Sequence, residues 1–361
     1  MPTIAILNNM PDSAVASTER QFSELLVAAT GGSTVRIRWF DFNRRAGYEP
    51  LDNLLALKHV DGLIVTGNEP KTKRLNDEIY WDAFSKVADW AAHHTTSTIW
   101  SCLAAHALVL RLDGIERSPL SKKLHGLFEV VKLTDHPLLT GITAMQVPHS
   151  RCNGLDYGDL QTHGYTMLTA SAAAGADIFV KRCSKSLFVM LQGHPEYDAR
   201  ALMREYRRDA LRFISGARDT YPELPRNYFG YGTEQEMLRL QERAFAERGV
   251  DIMTDMQVVL GKADLAATWK PAAVRFYSNW LDFLTDARTT RFPSTAMRTQ
   301  FDDMLTRRLA MVHEPAERGG MLPTFDYHTT ARAPVITGDS AENDGYDLVN
   351  CPEKGTQTWM R

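Results

Sequence analysis

The residue best placed for nucleophilic chemistry is Cys102, which follows an apolar run at residues 98–101 and precedes Leu103-Ala104-Ala105-His106. This pattern predicts a strand that turns sharply into a helix at the cysteine. Such a turn presents a nucleophile at the carboxyl end of a sheet, and the N–H groups of the helix start can lower a thiol pKa and bind an oxyanion. Free cysteine is also among the most buried residue types, so a structural role in the turn is the alternative.

A base for this cysteine occurs much later in the chain. The apolar run at residues 187–191 predicts a strand, and it is followed by Gly193-His194-Pro195-Glu196. A histidine at a strand end can accept a thiol proton, and a nearby carboxylate can fix its tautomer and stabilise the imidazolium. We therefore predict a catalytic triad of Cys102, His194 and Glu196. The alternative is a solvated turn that contains a histidine and a glutamate by chance.

The elements that would position this triad alternate in type along the first hundred residues. Short β-branched or aromatic runs at residues 3–7, 35–42, 62–66 and 98–101 predict strands. Apolar residues at helical spacing predict helices at residues 17–29 and 80–93. This alternation is typical of an α/β fold in which helices cover a parallel sheet.

The pattern changes after Cys102. Shorter runs at residues 130–133, 144–147, 177–181 and 187–191 predict a mixed or antiparallel section of sheet. Helices are predicted at residues 199–213, as an exposed and Arg-rich helix, and at residues 233–248 and 273–284. From about residue 285 the hydrophobic periodicity weakens, which predicts one domain at residues 1–284 and a partly irregular C-terminal extension at residues 285–361.

Composition limits the classes of partner. The chain has 361 residues, of which 44% are hydrophobic and 24% charged, and a net charge of −3 that gives no reason to expect nucleic acid or a membrane surface. The first residues lack the pattern of a signal peptide, and no apolar run reaches the roughly 20 residues of a membrane helix, so we predict a cytoplasmic protein. The four cysteines lack zinc-site spacing, so we predict reduced thiols and no metal.

Several strings together resemble the homoserine O-succinyltransferase family, which is built on the class I glutamine amidotransferase-like, flavodoxin-like fold of three layers with a mixed sheet. The resemblance runs from the first residue to about Leu284. The strings that carry it are NNMP at 8–11, DGLIVTG at 61–67, TSTIWSC ending at Cys102, KLHG at 123–126, PHSR at 148–151 and GHPEYD at 193–198.

The resemblance implies a ping-pong acyl transfer in methionine biosynthesis. Cys102 would accept an acyl group from coenzyme A, and the hydroxyl of L-homoserine would then take it from the thioester. His194 would act as general base and Glu196 would orient it. The implied oxyanion donors are backbone N–H groups at Gly67, Asn68 and Leu103, and the implied substrate-binding residues are Lys123, Ser150 and Arg208, the last for the homoserine carboxylate. No permanently bound cofactor is implied, and the choice between a monomer and a homodimer stays open.

The loop after Gly67 predicts the acyl donor. The family position that separates succinyl from acetyl donors falls on Lys71 when counted back from Cys102. Members specific for acetyl-CoA carry glutamate there, which would repel a succinyl carboxylate, whereas lysine would attract one. This favours succinyl-CoA. A shifted register would put Glu69 at that position and favour acetyl-CoA instead.

Two other classes of function stay open at this stage. A glutamine amidotransferase-type hydrolase uses the same fold and the same Cys-His-Glu set, and a non-catalytic binding protein could retain both. The acceptor is open as well, since a related hydroxy amino acid such as serine satisfies the same chemistry.

Overall fold

The computed structural model describes residues 2–32, 35–143 and 145–286. Strands and helices alternate in the first part of the chain, as predicted. In chain order these elements are β1 Thr3–Leu7, α1 Asp12–Ala29, β2 Arg36–Asp41, β3 Glu49–Pro50, α2 Leu51–Leu55, β4 Val60–Val65, α3 Trp81–His94, β5 Thr95–Ser101 and α4 Leu103–Asp113.

The second part contains the predicted shorter strands, then helices. It consists of β6 Ser118–Lys132, β7 Met145–Gly154, α5 Tyr157–Thr162, β8 Thr166–Met167, β9 Thr169–Ser171, β10 Gly175–Ala176, β11 Ile178–Cys183, β12 Ser186–Leu191, α6 Ala201–Ile214, α7 Tyr231–Ala246, α8 Val250–Gly261 and α9 Lys270–Asp286. Short 3-10 turns lie at Leu75–Asp77 and Pro137–Leu139.

The main sheet of the described residues has eight strands in the order β3-β2-β1-β4-β5-β12-β11-β8. Strands β3 to β12 in this order run parallel, and β11 pairs antiparallel with β12 and with β8. A smaller sheet has the order β10-β9-β6-β7 and is built on the antiparallel β6–β7 pair. The predicted α/β fold with a mixed sheet is confirmed.

Both faces of the main sheet are covered, because its central strands are apolar on both sides. Strand β4 is buried at every position, and β1 directs Ile4 and Ile6 into one core and Ala5 and Leu7 into the other. Helices α1 and α9 contribute to the first core, and α3 and α4 to the second. The molecule therefore has the three layers expected from the sequence.

Helix α9 is part of the core. Trp280 is fully buried, and its indole N–H donates to Ser97 Oγ at 3.0 Å, in the middle of the sheet. The helix continues to Asp286, past the domain end predicted at residue 284. The rest of the predicted extension, from residue 287, lies outside the described residues.

Helix α6 forms where residues 199–213 predict a helix, but the prediction that this helix is exposed is wrong for one side. Helix α6 buries one stripe of its surface, which includes Leu202, Tyr206, Asp209 and Phe213. The arginines and the apolar residues alternate at helical spacing, so the helix is amphipathic and exposes only its Arg-rich side. Helix α8, which the sequence analysis missed, packs beside α6 and α7.

Candidate active site

Cys102 occupies the turn between β5 and α4 in a strained backbone conformation. Its φ of 51° and ψ of −111° are unusual for a residue with a side chain. Its N–H donates to Leu191 O at 2.7 Å, which fixes the turn against the end of β12. The thiol is free and partly exposed, and it lines a cavity. The alternative of an enclosed structural cysteine is therefore contradicted.

His194 reaches the same end of the sheet because β12 lies beside β5. The two strands run parallel, with Leu191 opposite Ser101, so both strands end at the same carboxyl edge of the sheet. Gly193 allows the loop to pass close to β7, since a Cβ there would lie 2.2 Å from Val147 Cγ1. The N–H of His194 then donates to Pro148 O at 2.8 Å.

The imidazole of His194 has one nitrogen committed to a carboxylate. Nδ1 lies 2.8 Å from Glu196 Oε1, and Glu196 is buried, so Nδ1 carries the proton and donates it. The same carboxylate oxygen accepts from Ser101 Oγ at 3.4 Å. The ring of Tyr197 stacks on the imidazole at 4.2 Å and 16°. This leaves Nε2 to exchange a proton with Cys102.

Charge on both sides stabilises the imidazolium. Burial by itself would lower the pKa of His194, but the negative charges of Cys102 and Glu196, and hydrogen bonds to both, raise it well above 6.5. The imidazolium form of His194 is therefore stabilised beside the sulfur of Cys102. The arrangement can therefore supply a thiolate nucleophile.

The predicted oxyanion donors lie around the same sulfur. A Cβ on Gly67 would be 3.1 Å from Leu103 N and 3.1 Å from Ser101 O, so the loop after β4 runs directly against the start of α4. Leu103 is the first residue of α4, and its N–H has no acceptor within the helix. The side-chain oxygen of Asn68 accepts a hydrogen bond from Glu69 N at 2.7 Å. Their role as oxyanion donors stays a prediction.

One cavity of about 740 Å3 contains every residue that the sequence analysis singled out. It is open to solvent and is lined by the catalytic, oxyanion, substrate-binding and specificity candidates Cys102, His194, Glu196, Gly67, Asn68, Leu103, Lys123, Ser150, Arg208 and Lys71. The strings that carry the family resemblance therefore meet at one place, although they are dispersed over most of the sequence.

A charged network on one wall holds the predicted substrate-binding residues. Lys123 Nζ lies 2.7 Å from Asp209 Oδ2, and Arg208 donates to Asp209 Oδ1 at 3.0 and 2.9 Å. The Ser150 hydroxyl donates to Glu205 Oε2, and Lys123 Nζ lies 4.0 Å from that oxygen. Asp209 is buried and holds the two cations at the cavity edge.

Opposite charges in this network stabilise the ionised forms of Lys123 and Glu205. Burial alone would lower the pKa of Lys123, but Asp209 and Glu205 raise it above 10.5. Burial alone would raise the pKa of Glu205, but Lys123, with His125 and Arg208, lowers it to about 2. The wall therefore presents fixed charges of both signs, which suits a zwitterionic ligand.

The loop after Gly67 separates the two residues considered for donor choice. The side chain of Glu69 pairs with Arg212 at 3.4 Å, on the side of the charged network. Lys71 is exposed at the cavity, and its N–H donates to Glu78 Oε1 at 2.7 Å. Both residues line the cavity, and Glu69 has a cationic partner in Arg212.

Three further residues that line the cavity were not predicted from the sequence: Arg117, Tyr197 and Glu205. Arg117 lines the cavity, and the negative charges of Glu78 and Cys102 act on its guanidinium, although burial lowers its pKa. No sequence signal indicates it, since it precedes β6 in an ordinary polar stretch. Glu205 could have been found, because it lies one helical turn before Arg208 and therefore on the same face of α6.

Within the described part of the chain, none of the helices is both long and apolar enough to cross a membrane. The described residues also contain no group of three or more His, Cys, Asp or Glu side chains arranged to hold a metal ion. Of the cysteines, Cys102, Cys152 and Cys183 are not in disulfide bonds, and Cys351 lies outside the described residues.

Comparison with known proteins identifies a family. A family model for homoserine O-succinyltransferase matches residues 2–291. The homoserine O-succinyltransferase of Bradyrhizobium japonicum is 43% identical over 297 residues, which cover 79% of this chain and 90% of the relative. That of Methylorubrum extorquens is 42% identical over 297 residues, covering 78% and 87%.

Solved structures with a similar arrangement of elements are more distant. A glutamine amidotransferase from Methylobacillus flagellatus aligns with a TM-score of 0.45 and 15% identity, covering 82% of this chain and 98% of that one. Another from Thermotoga maritima has a TM-score of 0.43 and 11% identity, covering 79% and 99%.

Proposed function

This chain belongs to the homoserine O-succinyltransferase family, and we propose that it transfers a succinyl group from succinyl-CoA to the hydroxyl of L-homoserine. The observation that carries the proposal is the position of His194, which hydrogen-bonds both to Cys102 and to Glu196. This gives a thiolate, a base and an orienting carboxylate in a cavity that Lys123 and Arg208 also line.

The first half of the reaction forms a thioester on the enzyme. The Cys102 thiolate attacks the thioester carbonyl of succinyl-CoA, and the N–H groups of Leu103 and of the Gly67–Asn68 loop stabilise the resulting oxyanion. The tetrahedral intermediate collapses, the carbon–sulfur bond to coenzyme A breaks, and the imidazolium of His194 gives its proton to the departing thiolate. Cys102 is now succinylated and His194 is neutral.

The second half transfers the acyl group to the acceptor. Nε2 of His194 removes the proton of the homoserine hydroxyl as its oxygen attacks the thioester carbonyl. The same donors stabilise the second oxyanion, and its collapse releases the Cys102 thiolate and O-succinylhomoserine. The imidazolium and the thiolate are restored together, so no proton has to be exchanged with solvent to begin the next cycle.

Positive charge near the Lys71 loop supports succinyl-CoA as donor. Lys71 and Arg117 both line the cavity, and both lie close to Glu78, which accepts the N–H of Lys71 and acts electrostatically on Arg117. The free carboxylate of a succinyl group would find two cations at this end, whereas an acetyl group has no charge to use them. The cytoplasmic location stays a prediction, and the choice between a monomer and a homodimer stays open.

The proposal is tested by product analysis. The protein is incubated with succinyl-CoA and homoserine, with acetyl-CoA and homoserine, and with glutamine alone, and coenzyme A thiol, acylated homoserine and ammonia are measured. We expect O-succinylhomoserine and an equal amount of free coenzyme A. Faster use of acetyl-CoA would contradict the donor, and ammonia from glutamine without thiol release would identify a hydrolase instead.

A further inference from the structure

The cavity that contains Cys102 is also lined by a carboxylate that the reaction steps above do not use. Glu205 lines the cavity with its side chain 20% exposed, and each of its oxygens already accepts one hydrogen bond. Oε2 accepts from the Ser150 hydroxyl, and Oε1 accepts from the Tyr197 hydroxyl at 2.5 Å. A carboxylate oxygen can accept two hydrogen bonds, so Glu205 keeps capacity for a ligand.

The neighbouring charges keep Glu205 ionised without covering it. Lys123 Nζ is 4.0 Å from Oε2 but 2.7 Å from Asp209, so its main partner is Asp209. Arg208 likewise donates to Asp209. The two cations thus form ion pairs with a buried aspartate. Glu205 instead accepts hydrogen bonds from two neutral hydroxyls and lines the cavity.

A single side chain, that of Tyr197, contacts both Glu205 and His194. Tyr197 stacks its ring on the imidazole at 4.2 Å and donates its hydroxyl to Glu205 at 2.5 Å. The carboxylate therefore contacts the hydroxyl of Tyr197, and the general base contacts its ring. An amino acid whose ammonium contacts Glu205 can extend its short side chain toward His194.

We propose that Glu205 binds the α-ammonium group of the acceptor amino acid, between the Ser150 and Tyr197 hydroxyls, while Arg208 and Lys123 bind its α-carboxylate. This inference rests on the proposed acyl transfer and adds a residue that recognises the acceptor as an α-amino acid. The pairing matches both charges of the zwitterion, and it directs the side-chain hydroxyl to the base.

The alternative role of Glu205 is a brace for Ser150 and Tyr197, and the acceptor can distinguish the two. The test measures kcat/KM of wild type and Glu205→Gln with homoserine and with 4-hydroxybutanoate, which lacks only the amino group. Glutamine keeps the size of the side chain and removes its charge. Glu236→Gln on the exposed side of α7 serves as the matched control. Thioester formation on Cys102 is measured in each protein with succinyl-CoA alone.

We expect wild type to prefer homoserine over 4-hydroxybutanoate by at least about 100-fold. In Glu205→Gln, kcat/KM for homoserine should fall about 10- to 100-fold, chiefly through KM, while that for 4-hydroxybutanoate and the rate of thioester formation change less than about 3-fold. Glu236→Gln should match wild type.

An equal loss with both acceptors, or loss of thioester formation in Glu205→Gln, would identify a brace and overturn the inference. An unchanged preference for homoserine would overturn it as well. Absence of a thioester in wild type would instead overturn the proposed function, and with it the inference that depends on it.

Discussion

At the scale of single residues, the chemistry depends on where one proton resides. His194 Nδ1 donates to Glu196, and the raised pKa of His194 depends on that carboxylate as well as on Cys102. In Glu196→Gln the charge is lost and the pKa of His194 falls.

We therefore expect the imidazole of His194 to lose its proton at lower pH in Glu196→Gln than in wild type, and kcat to fall about 100-fold or more. The titration of His194 is followed by NMR in both proteins. Superimposable titration curves would show that Glu196 does not control the charge of His194.

Donor choice is also a property of single residues. Arg117→Met removes a guanidinium that lines the cavity near the Lys71 loop. We expect kcat/KM for succinyl-CoA to fall about 10- to 100-fold, with acetyl-CoA changed less than about 3-fold, because only the succinyl group carries a carboxylate. Arg239→Met, on the exposed face of α7, is the control. A parallel loss with both donors would contradict a role in selectivity.

The reactive residues were easier to predict from sequence than the residues that surround them. Cys102 and His194 each follow an apolar run that ends abruptly, which indicates a strand end at the sheet edge. Arg117, by contrast, lines the cavity together with residues that are distant in sequence, and local sequence does not encode such long-range contacts. Lys71 could be singled out only by family resemblance.

At the scale of elements, the junction of β4 with α4 is tightly packed. Gly67→Ala would place a Cβ 3.1 Å from both Leu103 N and Ser101 O, so the Cys102 turn or the loop must shift. We expect the fold to persist and the rate of thioester formation to fall about 100-fold, as for loss of an oxyanion donor. Gly232→Ala, whose Cβ would meet nothing within 4 Å, should react at the wild-type rate. Normal acylation in Gly67→Ala would exclude the predicted oxyanion site.

Helix α6 should make the fold sensitive to acid. The pKa of Glu205 is lowered from 4.5 to about 2, so its ionised form stabilises the native state above about pH 4.5. That stabilisation, on the order of 3 kcal/mol for such a difference, is lost as the pH falls from about 4.5 to about 2.

The measurement is the free energy of unfolding by urea at several pH values. Wild type should lose stability through this window, and Glu205→Gln should lose less, because it has no carboxylate to protonate at this position. An identical pH dependence in the two proteins would mean that Glu205 is not held ionised by its neighbours.

The existence of most elements could be predicted from sequence, but some of their lengths could not. The strand predicted at residues 130–133 is the end of β6, which begins at Ser118. Its first half contains Lys122 and Lys123 and lacks alternating apolar residues, because it forms a wall of the cavity and not a core face. A strand segment that lines the cavity therefore lacks the alternating apolar residues by which strands are predicted.

At the scale of the whole molecule, the boundary of the catalytic unit can be tested by shortening the chain. The family model ends at residue 291, and α9 ends at Asp286. We expect a chain of residues 1–290 to retain transfer activity within about 3-fold. A chain of residues 1–266 should not fold, because it lacks the buried Trp269, Phe276 and Trp280. Each buried aromatic contributes about 3–5 kcal/mol, and their sum is comparable to the stability of a whole domain.

Activity and the midpoint of thermal unfolding are compared among the three chains. Loss of activity in the chain of residues 1–290 would mean that the segment beyond α9 belongs to the catalytic unit, contrary to the boundary predicted from sequence.

The central claim is that Cys102 carries the acyl group between donor and acceptor. It is tested most directly by mixing the protein with succinyl-CoA in the absence of homoserine and measuring the intact mass and the modified peptide. We predict one succinyl group on Cys102, its removal when homoserine is added, and no adduct in Cys102→Ala. Steady turnover of succinyl-CoA and homoserine by Cys102→Ala at the wild-type rate would contradict the account.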